Sequence, residues 1–320
     1  MTAQPPLVSI VLINFRMPEM TLGCVASIAR HCRGPVEIIV VDNNSGDDSL
    51  EKLRESAVPF VTVPSPVNTG FSGGCNAGAR AAMGKYIYLL NNDTLREDDS
   101  AGILADFLEK NPGAVAAGSG LRFPDGTPQR AAFLFPAPLR VFFGAEHVGE
   151  AVERRIPALR GALSMFIPEE RVQKPCRVEW CSGASLMVRA EAYRAVGGFD
   201  EDFFVYAAEV EFCKRLVPYG ETWFVPGTTV IHLEGASQPI SDRRMGYMAA
   251  GRKLYYKKFH SFPYACLCNL ADCGGALAKG IALRAAGLFS RNPKTRRRAM
   301  EQLTYAKNYF RYSYPFRAEE

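Results

Sequence analysis

The fold is decided by the stretch between Val8 and Asp93, which reads VSIVLIN at 8–14, VEIIVV at 36–41, FVTV at 60–63 and YIYLLNND at 86–93. Each run is short and rich in β-branched or aromatic residues, which is typical of strands buried on both faces. Helical patterns separate the runs and lie at 20–31, 49–56 and 71–83. This alternation of strand and helix predicts a parallel sheet with helices on both faces.

Polar residues follow three of these predicted strands at the point where each strand ends. They lie at 14–16, 42–45 and 91–93. In open sheets of this kind ligands bind outside the carboxyl ends of the strands. The sequence therefore predicts a binding site along that edge of the sheet.

The composition is that of a soluble globular protein: 320 residues, 48% hydrophobic and 22% charged, which excludes a disordered chain. We expect no signal peptide, because the N-terminus is short and polar, and no run of ~20 uninterrupted apolar residues that would span a bilayer. Nine cysteines without a CxxC pair predict reduced thiols and a cytoplasmic protein, without structural zinc.

Beyond residue 120 the pattern is less regular. Prolines interrupt 121–180, where we expect loops and short helices over a cleft. A strand-like pattern follows at 177–188, then short helices at 191–196 and 210–217. From residue 241 onward the pattern is helical, with basic patches.

Two segments near the predicted edge carry candidate chemistry, and each has a structural alternative. Asp42 could accept hydrogen bonds from a ribose or a base, or it could form an Asx turn or a helix N-cap. The Gly-rich loop NTGFSGGCNAG at 68–78 could bring backbone N–H groups close to a phosphate. Its glycines could equally serve close packing of a helix on the sheet.

Three further features carry candidate chemistry of an acidic or metal-binding kind. A carboxylate in Asn91-Asn92-Asp93 could hold Mg²⁺ or Mn²⁺, or the segment could be a turn. The acidic, aromatic loop at 197–213 leads into a helix, where a carboxylate could act as a general base or cap the helix. His232 could be a metal ligand or a core histidine.

Taken together, the order and spacing of these segments resemble the family 2 inverting glycosyltransferases of GT-A fold, in the bacterial branch similar to rhamnosyltransferases. The matching segments are SIVLINF (9–15), VVDNNS (40–45), NTGFSGGCNAG (68–78), YLLNNDT (88–94), WCSGASLMVRAEAYRAVGGFDEDFFVYAAEVEFCKR (180–215) and IHLEGAS (231–237). The resemblance implies an α/β fold with a Rossmann-like, mostly parallel sheet. It also implies a catalytic domain over 1–240, with a nucleotide-binding half at about 1–120 and an acceptor-binding half at about 121–240.

The resemblance also assigns roles to single residues of this chain. The positions that it implies for nucleotide and sugar binding are Ile13, Asn14, Phe15, Asp42, Asn44, Gly74, Asn76, Asn91, Asn92, Trp180, Ser182 and Gly183. Trp180, Ser182 and Gly183 fall where the family forms the floor of the sugar and acceptor pocket. Asp93 and His232 match metal ligands.

The chain departs from the family's pattern where the catalytic base is expected. The family reads Glu-Asp-x-Asp there, and this chain has Ala208-Glu209-Val210-Glu211. Glu209 takes the position of the base and is one methylene longer than Asp, with Glu211 as an alternative or supporting acid. Asn91 replaces the first Asp of the metal motif.

The function implied is transfer of a sugar from a nucleoside diphosphate to an acceptor hydroxyl, with inversion and with Mg²⁺ or Mn²⁺. We expect dTDP-rhamnose as the donor, with UDP-hexose second, and a glycan or lipid-linked glycan as acceptor in cell-surface polysaccharide or glycolipid synthesis. The alternative is a catalytically degenerate member that binds a nucleotide sugar or a partner. A dinucleotide-dependent oxidoreductase is not expected, because the fingerprint glycines are missing.

The C-terminal extension, 241–320, has its own character. Residues 240–320 hold 16 Lys+Arg and 5 Asp+Glu, in a chain whose net charge is +5. Apolar residues recur there at helical spacing, and charged residues interrupt them: Leu267, Leu270, Leu277, Ile281 and Leu288 are apolar, and Asp272, Lys279 and Arg284 are charged.

This pattern predicts peripheral contact with an anionic membrane through 260–298, at the inner face of the cytoplasmic membrane. The alternatives are a helical hairpin packed on the catalytic domain or a homodimer interface. Nucleic-acid binding is not expected, because no aromatic-interleaved RNA motif is present.

Overall fold

The computed structural model describes residues 6–144, 148–168, 170–233, 241–289 and 293–312. The strands are β1 (Val8–Asn14), β2 (Val36–Asp42), β3 (Val61–Pro64), β4 (Tyr86–Leu90), β5 (Thr94–Arg96), β6 (Ala114–Arg122), β7 (Pro128–Gln129), β8 (Ala132–Phe133), β9 (Cys176–Val178), β10 (Trp180–Cys181), β11 (Ser185–Arg189) and β12 (Glu221–His232).

The α-helices are α1 (Pro18–His31), α2 (Ser49–Arg54), α3 (Gly70–Ala81), α4 (Ser100–Lys110), α5 (Pro138–Phe143), α6 (Val148–Arg155), α7 (Ala190–Ala195), α8 (Ala208–Leu216), α9 (Asp242–Phe259), α10 (Phe262–Phe289) and α11 (Pro293–Asn308). Two 3₁₀ helices lie at Pro157–Leu159 and Val217–Tyr219.

The main sheet has the strand order β3-β2-β1-β4-β11-β6-β12-β5, with β7 beside β6 and β9 beside β12. The first four strands are parallel, which confirms the α/β pattern predicted for them. Strand β11 is antiparallel to β4 on one side and to β6 on the other. In β1–β2 the register places Asn14 beside Asp42, so the predicted polar ends share one edge.

Close packing of α3 on the sheet explains two glycines of the Gly-rich loop. A Cβ atom at Gly78 would lie 2.3 Å from Val11 Cγ1, and one at Gly74 would lie 3.0 Å from Ile13 Cδ1. A larger residue at Gly78 would force Val11 or the helix to move, and one at Gly74 would press on the Ile13 side chain. The packing alternative is therefore what the structure shows at these two positions.

The second half of the sheet contains long strands that the sequence pattern does not predict. Strand β6 reads AVAAGSGLR, whose alanines and glycines have low strand propensity. Its neighbours β11 and β12 bond it on both sides and override that propensity. The strand-like pattern at 177–188 is also not one strand, because the chain forms parts of β9, β10 and β11 there.

The C-terminal helices pack on the rest of the chain. Tyr255 and Tyr256 of α9 and Cys268 of α10 are buried in the same hydrophobic core as the sheet. A Cβ at Gly275 of α10 would lie 2.7 Å from the carbonyl oxygen of Phe142 in α5. The predicted boundary at residue 240 falls outside the described residues and stays a prediction.

Helix α10 is long and apolar enough over Phe262–Gly287 to cross a membrane, by length and composition alone, and 28% of the apolar window is buried. The expectation that Asp272 interrupts its surface is wrong. The Asp272 carboxylate points into the bundle and accepts hydrogen bonds from Arg252 (2.9 Å), Tyr256 (3.1 Å) and Tyr305 (3.0 Å). We call these four residues the Asp272 cluster.

With Asp272 turned inward, the outer face of α10 is largely apolar. Its exposed large side chains are Phe262, Tyr264, Leu267, Leu270, Leu277 and Ile281. The side chain of Leu288 lies outside the described residues. Arg284 remains on the surface, and Lys279 is half-buried.

Candidate functional site

A buried network joins the ends of β1 and β2. Asn14 Nδ2 donates to Asp42 Oδ1 at 2.8 Å, and the hydroxyl of Ser45 donates to the same oxygen at 2.5 Å. The backbone N–H of Ser45, three residues along the chain, donates to Asp42 Oδ2 at 3.2 Å, so the carboxylate is bonded within its own local segment. Asp42 is 2% exposed and Asn14 is fully buried. In this structure both side chains therefore support the edge from the interior.

The groups exposed at this edge are Phe15, which is 38% exposed, and Asn44, with Ile13 half-buried beneath them. The guanidinium of Arg16 lies 5.1 Å from the centroid of the Phe15 ring. Its Nε donates to the carbonyl oxygen of Ser45 at 2.8 Å. Arg16 is an exposed cation to which the family resemblance assigns no role, although it directly follows the matching segment 9–15.

Asn76, predicted to face the nucleotide, is instead bonded inward. Its Oδ1 accepts from the hydroxyl of Tyr193 and from the N–H of Phe199, each at 2.8 Å. Its Nδ2 donates to Phe199 O and to Glu201 Oε1, each at 2.9 Å. The amide is satisfied by these bonds, so Asn76 ties α3 to the 193–201 segment in this structure.

The two predicted metal ligands do come together. Nε2 of His232, at the end of β12, lies 3.4 Å from Oδ1 of Asp93, which follows β4, and both side chains are about one-tenth exposed. Asn91 Nδ2 lies 3.5 Å from the same nitrogen. Asn92 is turned away and donates to the hydroxyl of Thr21 at 2.9 Å.

The donor atoms at this place fit a divalent cation that is completed by a ligand. The described residues contain no cluster of three or more His, Cys, Asp or Glu side chains that could hold a metal ion by themselves. Asp93 and His232 supply one oxygen and one nitrogen. Mg²⁺ sites on nucleotides commonly use one or two carboxylates, here Asp93, with phosphate oxygens and water filling other positions.

Gln129, a residue that no sequence feature marks, also contacts His232. Its Oε1 lies 2.9 Å from His232 Nδ1, and its Nε2 donates to the His232 carbonyl oxygen at 2.7 Å. Gln129 belongs to β7, whose pairing with β6 depends on contacts distant in sequence. No local signal could have identified it.

Glu209 lies in the first turn of α8, directly after two residues in the left-handed region. Tyr206 has φ of 60° and Ala207 has φ of 61°. Such backbone conformations in non-glycine residues cost about 1–3 kcal/mol each and cluster at functional sites. Burial raises the pKa of Glu209 above its ordinary value of 4.5.

Glu211 has a different environment, and the structure argues against it as an alternative base. Its side chain is 2% exposed and bound by both arms of Arg215, with Nη2–Oε2 at 2.7 Å. Arg215 also donates to the carbonyl oxygens of Val196 and Gly198. A carboxylate fixed in this way supports the loop and is not presented to an acceptor.

The predicted pocket floor adjoins Glu209. The Trp180 ring stacks on Phe133 at 4.0 Å between centroids, and its indole N–H donates to the carbonyl oxygen of Leu134. A Cβ at Gly183 would lie 3.6 Å from Glu209 Cβ. Ser182 is half-buried beside it, and its hydroxyl accepts from the N–H of Ala184 at 3.3 Å.

The floor and the metal-ligand pair are also connected. The N–H of Asn91, two residues before Asp93, donates to the carbonyl oxygen of Ala184 at 3.1 Å. Ala184 follows Gly183, which packs against Glu209. One short stretch of β-structure therefore links the end of β4 to the first turn of α8.

Residues 9–162 match the model of the family described as Glycosyl transferase family 2. The N-acetylglucosaminyl-diphospho-decaprenol L-rhamnosyltransferase of Mycobacterium tuberculosis is 28% identical over 225 residues, which are 65% of this chain and 70% of that protein. The O-antigen biosynthesis protein RfbC of Myxococcus xanthus is 28% identical over 262 residues, which are 76% of this chain and 19% of that protein.

Two solved structures share the fold. A mannosyltransferase from Pyrobaculum calidifontis in complex with GDP-Man and Mn²⁺ aligns with a TM-score of 0.59 at 15% identity, over 97% of this chain and 88% of that chain. GalNAc-T7 with UDP, GalNAc and Mn²⁺ aligns with a TM-score of 0.56 at 13% identity, over 80% and 49%. The predicted GT-A fold is confirmed by these alignments.

Proposed function

We propose that this chain, whose residues 9–162 match the Glycosyl transferase family 2 model, is an inverting, metal-dependent glycosyltransferase that uses a nucleoside-diphosphate sugar. The observation that carries the proposal is the approach of His232 Nε2 to Asp93 Oδ1, at 3.4 Å, on the edge where the parallel strands end. The second support is Glu209, a half-buried residue whose Cβ lies beside Gly183 of the pocket floor.

In the proposed reaction Glu209 takes the proton of the acceptor hydroxyl while that oxygen attacks the anomeric carbon in line. The bond to the diphosphate breaks in the same step, so the anomeric configuration inverts. A raised pKa makes Glu209 a stronger base than an exposed glutamate once it is ionised. A divalent cation held by Asp93 and His232 would neutralise charge on the leaving diphosphate.

For the donor we favour dTDP-rhamnose, with UDP-hexose second, because the similar mycobacterial protein is named an L-rhamnosyltransferase. The exposed Phe15 ring, with Arg16 beside it, offers a stacking surface for a base at the expected edge. For the acceptor we favour a glycan or lipid-linked glycan of cell-surface polysaccharide or glycolipid synthesis.

The proposal is tested by calorimetric titration of the full chain with dTDP and with UDP, each with and without Mn²⁺. We expect one nucleotide to bind in a Mn²⁺-dependent manner and Asp93→Ala to abolish that dependence. Asp98→Ala is the control, because its carboxylate is bonded to Thr228 and Thr229 rather than to His232. If neither dTDP nor UDP binds, the proposed donor site is contradicted.

The second candidate function is a degenerate member that binds a nucleotide sugar without turnover. The observation that favours it is the change to Ala208-Glu209-Val210-Glu211, together with the ion pair that occupies Glu211. Mn²⁺-dependent binding of a nucleotide sugar without hydrolysis or transfer, over a panel of acceptors, would support this candidate.

We also propose a cytoplasmic protein that contacts the inner membrane face through the outer side of α10. Its support is the exposed apolar face of that helix and the exposed Arg296, Arg297 and Arg298 on α11. We expect co-sedimentation with anionic vesicles and not with neutral ones, and loss of binding in Leu270→Glu. A Leu270-dependent dimer without vesicle binding would instead identify this face as a homodimer interface.

A further inference from the structure

The side chain of Gln129 makes two contacts with one residue, His232, and they fix its orientation. The Nε2 of Gln129 donates to the His232 carbonyl oxygen at 2.7 Å. A carbonyl oxygen only accepts hydrogen bonds, so the amide nitrogen must be the atom that faces it. The amide Oε1 is thereby set against His232 Nδ1, at 2.9 Å.

This orientation determines which ring nitrogen of His232 carries the proton. Amide oxygens only accept, so the short contact requires a proton on Nδ1. In a neutral imidazole the other nitrogen, Nε2, then keeps its lone pair. That nitrogen faces Asp93 Oδ1 at 3.4 Å, which is longer than an ordinary hydrogen bond. Nδ2 of Asn91, at 3.5 Å, is a donor group compatible with an acceptor at Nε2.

We propose that Gln129 is a positioning residue that holds His232 in the Nδ1–H tautomer, so that Nε2 is presented, beside Asp93, as a ligand for a divalent cation. Metal-binding histidines commonly donate their other N–H to an oxygen acceptor, which fixes the ring and its tautomer. The acceptor here is a neutral amide, which orients the ring without adding a charge. The ligand role rests on the proposed function, whereas the tautomer is a property of the protein alone.

The fold brings Gln129 to this position by a hairpin after β6. The turn at Asp125–Gly126 reverses the chain, with Gly126 at φ of 80° and the N–H of Phe123 donating to the Thr127 carbonyl oxygen at 2.8 Å. Strand β7 then pairs with the end of β6, on which β12 also pairs. Gln129 and His232 therefore meet around the same stretch of β6.

The tautomer can be measured without any metal. The chain has four histidines, so ¹⁵N-histidine labelling of the full chain gives a readable spectrum, in which His232→Gln identifies the His232 signals. We expect the metal-free wild type to show a protonated Nδ1 and an unprotonated Nε2 at His232. In Gln129→Leu we expect a shift towards a mixture of tautomers. A proton on Nε2 in the wild type, or an unchanged tautomer in Gln129→Leu, would overturn the proposal.

Metal affinity provides the second readout, through Mn²⁺ titration followed by electron paramagnetic resonance in the presence of the nucleotide that binds. We expect about 10- to 100-fold weaker Mn²⁺ binding in Gln129→Leu, the usual effect of losing such a supporting group. Gln302→Leu on α11 is the matched control. Gln129→Asn, which keeps an amide on a shorter chain, serves as the second variant if Gln129→Leu fails to fold.

The outcomes separate this proposal from the proposed function. Mn²⁺ binding that is weakened by His232→Gln and by neither Gln129 variant overturns the positioning role alone. Mn²⁺ binding that is indifferent to both His232→Gln and Asp93→Ala contradicts the proposed metal site itself, whatever the tautomer of His232.

Discussion

The half of the sheet that contains β1 to β4 and the region from residue 114 onward differ in how their structure is specified. Strands β1 to β4 are parallel and linked by helices that the local pattern already indicates. Strands β6, β11 and β12 depend on partners distant in the sequence, and the C-terminal helices add packing from outside. The candidate nucleotide edge thus belongs to the region of local order, and the candidate base belongs to the region of long-range support.

The segment that leads into Glu209 shows this dependence most clearly. A Cβ at Gly251 of α9 would lie 2.7 Å from the carbonyl oxygen of Tyr206, one of the two residues with left-handed backbone. Lys258 of the same helix forms ion pairs with Asp200 and Asp202, upstream of that loop. Helix α9 therefore packs directly on the segment that positions Glu209, and the C-terminal extension belongs to the support of the site.

The largest effect should come from the base itself. Glu209→Gln keeps the size of the side chain and removes its ability to take a proton, so we expect kcat to fall about 10²- to 10⁴-fold. Mn²⁺-dependent nucleotide binding on the donor side should be preserved. Steady-state transfer assays check this, with Glu191→Gln, an exposed glutamate in the first turn of α7, as the matched control. Wild-type kcat in Glu209→Gln would contradict the assignment.

The next effect tests whether the extension positions the base. Gly251→Ala should displace the Tyr206 carbonyl and shift Glu209, and a displacement of ~1 Å can lower the rate about 10²-fold. We expect kcat to fall while the KM for the donor changes little, since the atoms nearest to a Cβ at Gly251 belong to Tyr206 and Ala207. Gly274→Ala on α10 is the matched control, because a Cβ there meets nothing within 4 Å.

Equal kcat values in Gly251→Ala and Gly274→Ala would contradict the prediction that α9 positions Glu209. A proportional loss of donor binding in Gly251→Ala would show that α9 supports the whole cleft rather than the base alone.

The smallest effect concerns stability and its dependence on pH. Burial raises the pKa of Glu209, so the folded protein binds this proton more tightly than the unfolded chain. The stability of the wild type should therefore decrease as the pH rises from the unfolded pKa, near 4.3, through the raised folded value. Glu209→Gln avoids that loss, so its melting temperature should exceed that of the wild type at pH 7.

The same difference should largely vanish at about pH 3, well below the unfolded pKa, where the carboxyl of the wild type is mostly neutral in both states. Thermal unfolding of both proteins at the two pH values checks the sign. A Glu209→Gln protein that is less stable than the wild type at pH 7 would mean that the ionised carboxylate has favourable contacts in the folded state.

The sequence predicts the region of β1 to β4 better than the region from residue 114 onward. The polar residues that follow β1, β2 and β4 lie at one edge of the sheet, as predicted, because these strands are parallel, and Asn14 and Asp42 are hydrogen-bonded there. The hydrogen-bond partners of these side chains could not be predicted from the sequence in the same way. Asp42 is bonded within its own turn and Asn76 is bonded to Phe199, since hydrogen-bond partners are chosen by the finished fold.

The approach of His232 to Asp93 could be predicted only from the family resemblance, because the two residues are far apart in the chain. Gln129 and Gly251 carried no signal at all, since a hairpin register and a helix docking site give each its importance. Glu211 has a carboxylate that could act as a base, and only its ion pair with Arg215 argues against that role.

The Asp272 cluster also bears on how the chain is made. Asp272 receives one of its three donors from Tyr305, near the end of the described chain. Until α11 has left the ribosome, the Asp272 carboxylate lacks that donor, and the apolar α10 lacks the helix that packs along it. We therefore expect nascent chains arrested before α11 to recruit chaperones or membranes more readily than nascent chains that already include it.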